Sequence, residues 1–144
     1  MLLHRFARAF TTTQAMVLNN FKQPLTMQTL KLAEPQEDEV LLKNQAVGCC
    51  KTDLSVIDGK VNFVVPAVMG HEVTAEVVAK GSKVHNVDVG DRVVGAFIMP
   101  CGNCDSCFKG MDDVCTNFLD MNRKKGVLYD GKTRMYTPDG TPIW

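Results

Sequence analysis

From Ala15 onward, apolar and polar positions alternate in short runs broken by turn residues. Residues 15–19 form a brief apolar run. Residues 39–47 (EVLLKNQAV) mix two faces, Val40, Leu42 and Ala46 on one and Leu41, Lys43, Gln45 and Val47 on the other. Glu72–Lys80 (EVTAEVVAK) sets Val73, Ala75, Val77 and Ala79 on a single side. A period of two predicts strands with one buried face. After the turn Val89-Gly90-Asp91, residues 92–99 (RVVGAFIM) are almost wholly apolar and are expected to be buried on both faces. Residues 52–58 invite a short helix closed by Gly59. Short strands at this spacing predict a mainly β barrel or sandwich rather than alternating βαβ units.

The start of the chain has a different pattern. MLLHRFARAFTTT carries Arg5 and Arg8 and no acid, with Leu2, Leu3, Phe6 and Phe10 opposite His4 and the arginines on a helical wheel. An amphipathic, acid-free, arginine-bearing start is the pattern of a transit peptide, so residues 1–13 are read as a mitochondrial address. Met16 as a second start would leave a cytoplasmic form.

Composition narrows the class. The 144 residues are 45% hydrophobic and 22% charged, with a formal charge of zero and no basic block, so nucleic acid is not an implied partner. No apolar run reaches the roughly 20 residues that span a membrane.

Four of the six cysteines, Cys101, Cys104, Cys107 and Cys115, form C-x2-C-x2-C-x7-C. The filler is turn-forming (Gly102, Gly110, Asn103, Asp105, Ser106, Asp112), so nothing there packs without help. Four thiolates can surround one Zn2+, which would be the core of a lobe at about residues 100–118. An iron–sulfur cluster is the second reading, although the ferredoxin run continues with x3 and Cys-Pro. Disulfides would force cramped loops. A thioredoxin-like pair would need a helix after Cys104, where no helical pattern is seen. Metal use of cysteine suits a reducing compartment.

Two further clusters carry chemistry. Gly48-Cys49-Cys50-Lys51-Thr52-Asp53 gathers a thiol, a cation, a hydroxyl and a carboxylate after a strand, and Gly70-His71-Glu72 sets an imidazole and a carboxylate before another. Cys49 and Cys50 point to opposite faces of an extended segment, so Cys49 is read as a small buried residue. His85 and His4 are read without a role.

The order G-x-C-x-T-D, G-H-E, a G-D-R-V strand and then the cysteine quartet resembles the N-terminal half of zinc-dependent medium-chain alcohol dehydrogenases, from about Ala15 to the C-terminus. The resemblance implies a GroES-like partly open barrel over residues 14–144 with a zinc lobe as an excursion. It implies Cys50 and His71 as catalytic zinc ligands, Thr52 as proton relay, Asp53 orienting His71, Glu72 as an occasional ligand, and Lys51 near the cofactor pyrophosphate. Ala75 departs from the family, which usually has glycine there.

Gly126-Val127-Leu128-Tyr129-Asp130-Gly131-Lys132-Thr133 matches the phosphate-loop pattern letter for letter. It lacks a preceding buried strand and meets Pro138 and Pro142 beyond, so Asp130-Gly131 is read as a hairpin turn.

No G-x-G-x-x-G turn for NAD(P) is present, and the family's third catalytic ligand falls beyond Trp144. The barrel is expected to stop short at residues 142–144. Two hypotheses follow. One is the N-terminal portion of a zinc alcohol dehydrogenase, interconverting small alcohols and aldehydes with NAD(P) in the complete enzyme and inactive as this chain alone. The other is a zinc-stabilised structural or interaction protein, as a homo-oligomer or with a protein partner, in a mitochondrial assembly.

Overall fold

The computed structural model describes residues 11–144. Strands β1 (Thr11–Leu18) and β2 (Thr26–Leu32) make an antiparallel hairpin in which Thr11 faces Leu32 and Val17 faces Thr26. β1 therefore begins earlier than residue 15 and includes Thr11–Thr13, the end of the segment read as an address. The remainder of that segment lies outside the described residues. β2 is not anticipated from the pattern, because Met27 is exposed and only Leu30 of its apolar positions is fully buried.

β4 (Ala67–Val68) adds to β1, β7 (Met135–Tyr136) to β2, and β8 (Pro142–Ile143) to β7. The resulting order β4-β1-β2-β7-β8 bends almost to closure. The Val68 N–H donates to the Trp144 carbonyl at 2.7 Å, and the Trp144 N–H donates to the Pro66 carbonyl at 3.0 Å. The segment 142–144, where the barrel is expected to stop short, bonds to residues 66–68 and brings the sheet almost to closure. Inside lie Val17, Leu30 and Ile143, with Ala15, Val68 and Met135 packed against them. The buried Thr133 hydroxyl donates to the Ile143 carbonyl at 2.6 Å, so burial leaves no unmet donor there.

The second sheet has the order β3-β5-β6, with β3 (Val40–Gly48), β5 (Glu72–Lys80) and β6 (Arg92–Val94) all antiparallel. Ala75 and Val77 of β5 are buried on the face the alternation predicts. β3 departs from simple alternation, since register shifts between Leu41 and Leu42 and between Asn44 and Ala46 re-aim its side chains. The expectation for residues 92–99 is corrected. Only Arg92–Val94 is strand, Val94 is 78% exposed and Phe97 52%. The cause is position: β6 is an edge strand, and burial on both faces requires a layer on each side. The partly open character of the barrel lies here.

Helix α1 (Lys51–Ile57) follows β3, one residue off the expected span. Gly59 beyond it takes φ +70°, a left-handed conformation that glycine adopts without a Cβ penalty. The phosphate-loop match has the backbone of a tight turn. Leu128 and Lys132 are joined by the Leu128 N–H, the Gly131 N–H bonds back to Leu128, and a π-helical turn (Phe118–Arg123) rather than a strand precedes the segment.

Candidate functional site

The cysteine quartet is built by two short helical pieces. α2 (Asp105–Phe108) begins immediately after Cys104, and a 3-10 turn (Asp112–Val114) ends at Cys115. One helical turn does follow Cys104, against the sequence expectation. It is driven by the Phe108 N–H bonding back to the Cys104 carbonyl at 2.9 Å, with no apolar periodicity behind it. The four sulfurs all lie within 4.8 Å of one another. Cys104 Sγ is 3.6 Å from Cys107 Sγ and 3.9 Å from Cys115 Sγ. A tetrahedral ion with bonds of about 2.3 Å requires sulfur–sulfur edges of about 3.8 Å. A disulfide requires about 2.05 Å, so the spacing fits a tetrathiolate metal centre.

Donors surround the sulfurs. The Asn117 amide donates to Cys101 Sγ at 3.2 Å, and the Cys101 and Phe118 N–H groups both donate to Cys115 Sγ at 3.4 Å. The backbone N–H of Cys107, with further help from Thr116, holds the Cys104 thiol down to about 5. Burial pushes Cys107 up to about 12. Cys115 is raised by burial but ends below its ordinary value, because the Cys101 and Phe118 N–H groups outweigh it. Hydrogen bonds to the charged form favour thiolate, the form that binds metal.

The second cluster sits where β3 runs into α1 and the Gly70 turn runs into β5. Ligand atoms of Cys50, His71 and Glu72 all lie within 4.8 Å of one another. Cys50 caps α1: its sulfur accepts the Thr52 N–H at 3.5 Å, while its own N–H donates to Asp53 Oδ2 at 3.1 Å. The other Asp53 oxygen is 3.2 Å from His71 Nδ1, which leaves Nε2 of the imidazole for a metal. Glu72 reaches the cluster because Gly48 stands opposite it in the β3–β5 ladder. A Cβ on Gly48 would overlap the Glu72 carboxylate, so the missing side chain is the carboxylate's cradle. Sulfur, nitrogen and oxygen donors of this kind suit zinc, and three protein ligands leave a fourth position open.

A cavity of about 190 Å³ lies against this cluster. Val56, Phe63, Val68, Phe97 and Phe118 give it apolar walls, and Thr52, Asp53, His71, Asn122 and Arg123 are its polar lining. Phe97 packs tilted on His71, ring centroids 4.9 Å apart. Thr52 and His71 also line a second, more open cleft, with Glu72, Val73 and Val94. Phe63, Phe97, Phe118, Asn122 and Arg123 were not singled out from the sequence, because they come from separate loops that only the fold brings together. Lys51 is exposed at the start of α1. Cys49 is exposed, not buried as expected, because the turn from β3 into α1 spends its inward position on Cys50. His85 is exposed, and His4 lies outside the described residues.

Comparison with known proteins agrees with this geometry. The family model for the alcohol dehydrogenase GroES-like domain matches residues 36–137. An alcohol dehydrogenase zinc-binding domain protein from Burkholderia ambifaria is 33% identical with a TM-score of 0.86, over 94% of this chain and 36% of its own. Benzyl alcohol dehydrogenase from Acinetobacter calcoaceticus is 34% identical with a TM-score of 0.82, over 92% of this chain and 35% of its own. A zinc-binding dehydrogenase from Sinorhizobium meliloti, solved bound to NADP, is 30% identical with a TM-score of 0.66, over 74% and 31%. The chain thus spans about a third of the length of the solved structures it matches. With a barrel, a tetrathiolate lobe and a Cys–His–Glu cluster arranged as described, the chain belongs to the zinc-dependent alcohol dehydrogenase family and carries its GroES-like domain.

Proposed function

We propose that this chain supplies the metal-binding and substrate-facing half of an alcohol dehydrogenase acting on small alcohols and aldehydes with NAD(P). The observation that carries the reading is the convergence of Cys50, His71 and Glu72, of which His71 lines an apolar cavity together with Thr52.

Cys50, His71 and Glu72 would hold a catalytic zinc, and Cys101, Cys104, Cys107 and Cys115 a structural one. When bound, the catalytic zinc supplies Lewis acidity that favours the alkoxide form of an alcohol. Asp53 fixes the tautomer and direction of His71 through Nδ1. The Thr52 hydroxyl, two residues from Cys50, accepts the substrate proton and passes it towards the open cleft that Thr52 also lines. Phe63, Phe97 and Phe118 exclude water and hold an apolar substrate body. Lys51, exposed at the start of α1, would meet the cofactor phosphates. Residues 1–13 are proposed to direct the protein to mitochondria, with a cytoplasmic form starting at Met16 as the alternative.

The test is alcohol-dependent NAD(P) reduction by the complete enzyme, combined with zinc counting. Two zinc ions per chain and a loss of about 10³-fold or more in turnover for His71→Ala support the proposal. Turnover unchanged in both Cys50→Ser and His71→Ala would sink it.

A second reading is favoured by the exposed edge strand β6 and by Val94 upon it: a zinc-stabilised interaction module that docks a protein partner or a second copy. It predicts stable co-purification at stoichiometric amounts with no NAD(P) reduction, which separates it from the first.

A further inference from the structure

Arg123 closes the π-helical turn Phe118–Arg123 and lines the cavity beside His71. It is half-buried and makes no ion pair or hydrogen bond among the described residues. Other cations with comparable cover are matched. Arg134 is forked onto Glu39 and Asp130, and Lys80 is held by Asp88 and the Val87 carbonyl. The carboxylate in the cavity wall, Asp53, is committed to His71 and to the Cys50 N–H. The buried carbonyl oxygen of Asn122 has no partner, but it is sealed from the open space while its amide nitrogen holds the Val127 carbonyl. A half-buried arginine at a cavity wall with no anionic partner is free to take one from a ligand, and its fork matches a carboxylate.

We propose that Arg123 selects substrates whose far end is a carboxylate, so that the enzyme's preferred class is a small aromatic or aliphatic aldehyde–acid or its alcohol. This deepens the alcohol dehydrogenase reading and rests on it. The cavity supports the size. At protein packing density, about 190 Å³ of space admits a molecule of about ten non-hydrogen atoms. The reacting carbon would face Thr52 and His71, the apolar body would lie among Phe63, Phe97 and Phe118, and the carboxylate would meet Arg123.

The experiment compares para-carboxybenzaldehyde with benzaldehyde as paired probes in the holoenzyme, in wild type, Arg123→Met and Arg123→Lys. The readout is the ratio of kcat/KM values, separated into KM and kcat. Wild type is expected to prefer the carboxylate probe by roughly 10-fold or more, the size of a charge-assisted hydrogen bond. In Arg123→Met that ratio falls to about one, mainly through KM, and Arg123→Lys restores part of it. A wild-type ratio near one, or a ratio unmoved by Arg123→Met, overturns the proposal while leaving the dehydrogenase reading intact. If neither probe is turned over, the rates do not decide. Calorimetric binding of para-(hydroxymethyl)benzoate then decides the site: binding lost in Arg123→Met upholds it, and no binding to wild type rejects it.

Discussion

Replacing Cys107 by serine isolates what the metal does for the lobe. The region from Cys101 to Cys115 has almost no apolar core of its own: Cys115 is its fully buried residue, while Phe108 is 75% exposed and Met111 and Val114 are exposed as well. Its order therefore rests on the sulfur tetrahedron, whose edges from Cys104 are 3.6 and 3.9 Å. Structural zinc contributes an apparent 10–16 kcal/mol or so. Losing one of four sulfur ligands removes about a quarter of that, about 2.5–4 kcal/mol. This is roughly a 10²–10³-fold loss of affinity. The assay is competition with a chromogenic chelator under reducing conditions, together with amide hydrogen exchange at Cys101 and Phe118, whose N–H groups bond to Cys115 Sγ. Cys107→Ser should surrender this ion at chelator concentrations that leave the wild-type lobe loaded, and both amides should lose protection as it leaves. Unchanged chelator resistance, or amides still protected after the metal has gone, would refute the reasoning. Iron in the purified protein would do the same for the choice of zinc.

Asp53→Ala should weaken zinc at the Cys50–His71–Glu72 cluster by roughly 10–100-fold and destabilise the fold by about 1 kcal/mol through the lost cap on α1; zinc titration and thermal melting read the two effects separately. Gly48→Ala should cost about 1–3 kcal/mol, because the new methyl overlaps the Glu72 carboxylate. Metal counting should then find the cysteine quartet full and the second site weakened. Asp130 is held below the usual carboxylate range chiefly by its hydrogen bond from Arg134. Its folded-state value is depressed, so its contribution is present above the ordinary carboxylate pKa and fades as pH falls through the depressed one. Asp130→Asn should flatten the acid limb of melting temperature against pH and leave the neutral region nearly parallel to wild type.

The chemistry-bearing residues were legible in the sequence because their signals are local. The quartet's spacing needs only a turn-rich segment, and Cys50 with Asp53 lies on a single helical turn. The β5 face was legible because Ala75 and Val77 on one side of that strand are buried, with Val73 and Ala79 half-buried at its ends. What depends on contacts distant in sequence was not. Gly48 reads as one more glycine until the β3–β5 register sets it against Glu72. Phe63, Phe97, Phe118 and Arg123 become one cavity wall through packing alone. The apolar run at residues 92–99 misled for the converse reason. Hydrophobicity says that burial is favourable, but a cover must exist, and β6 lies at an edge.

Cys50 has two duties, and they are thermodynamically inseparable. Its sulfur accepts one of the free N–H groups in the first turn of α1, that of Thr52, and is also one of three candidate ligand atoms within 4.8 Å of one another. A thiolate accepts more strongly than a thiol, so whatever ionises Cys50 also tightens the helix behind it. Reciprocity then requires that a firmer α1 raise metal affinity by the same free energy. A stabilising change on the solvent face of α1, remote from every ligand, becomes a dial on how tightly the site holds its ion. In turn, the helical content of seven residues, Lys51–Ile57, is a gauge of whether the ion is there.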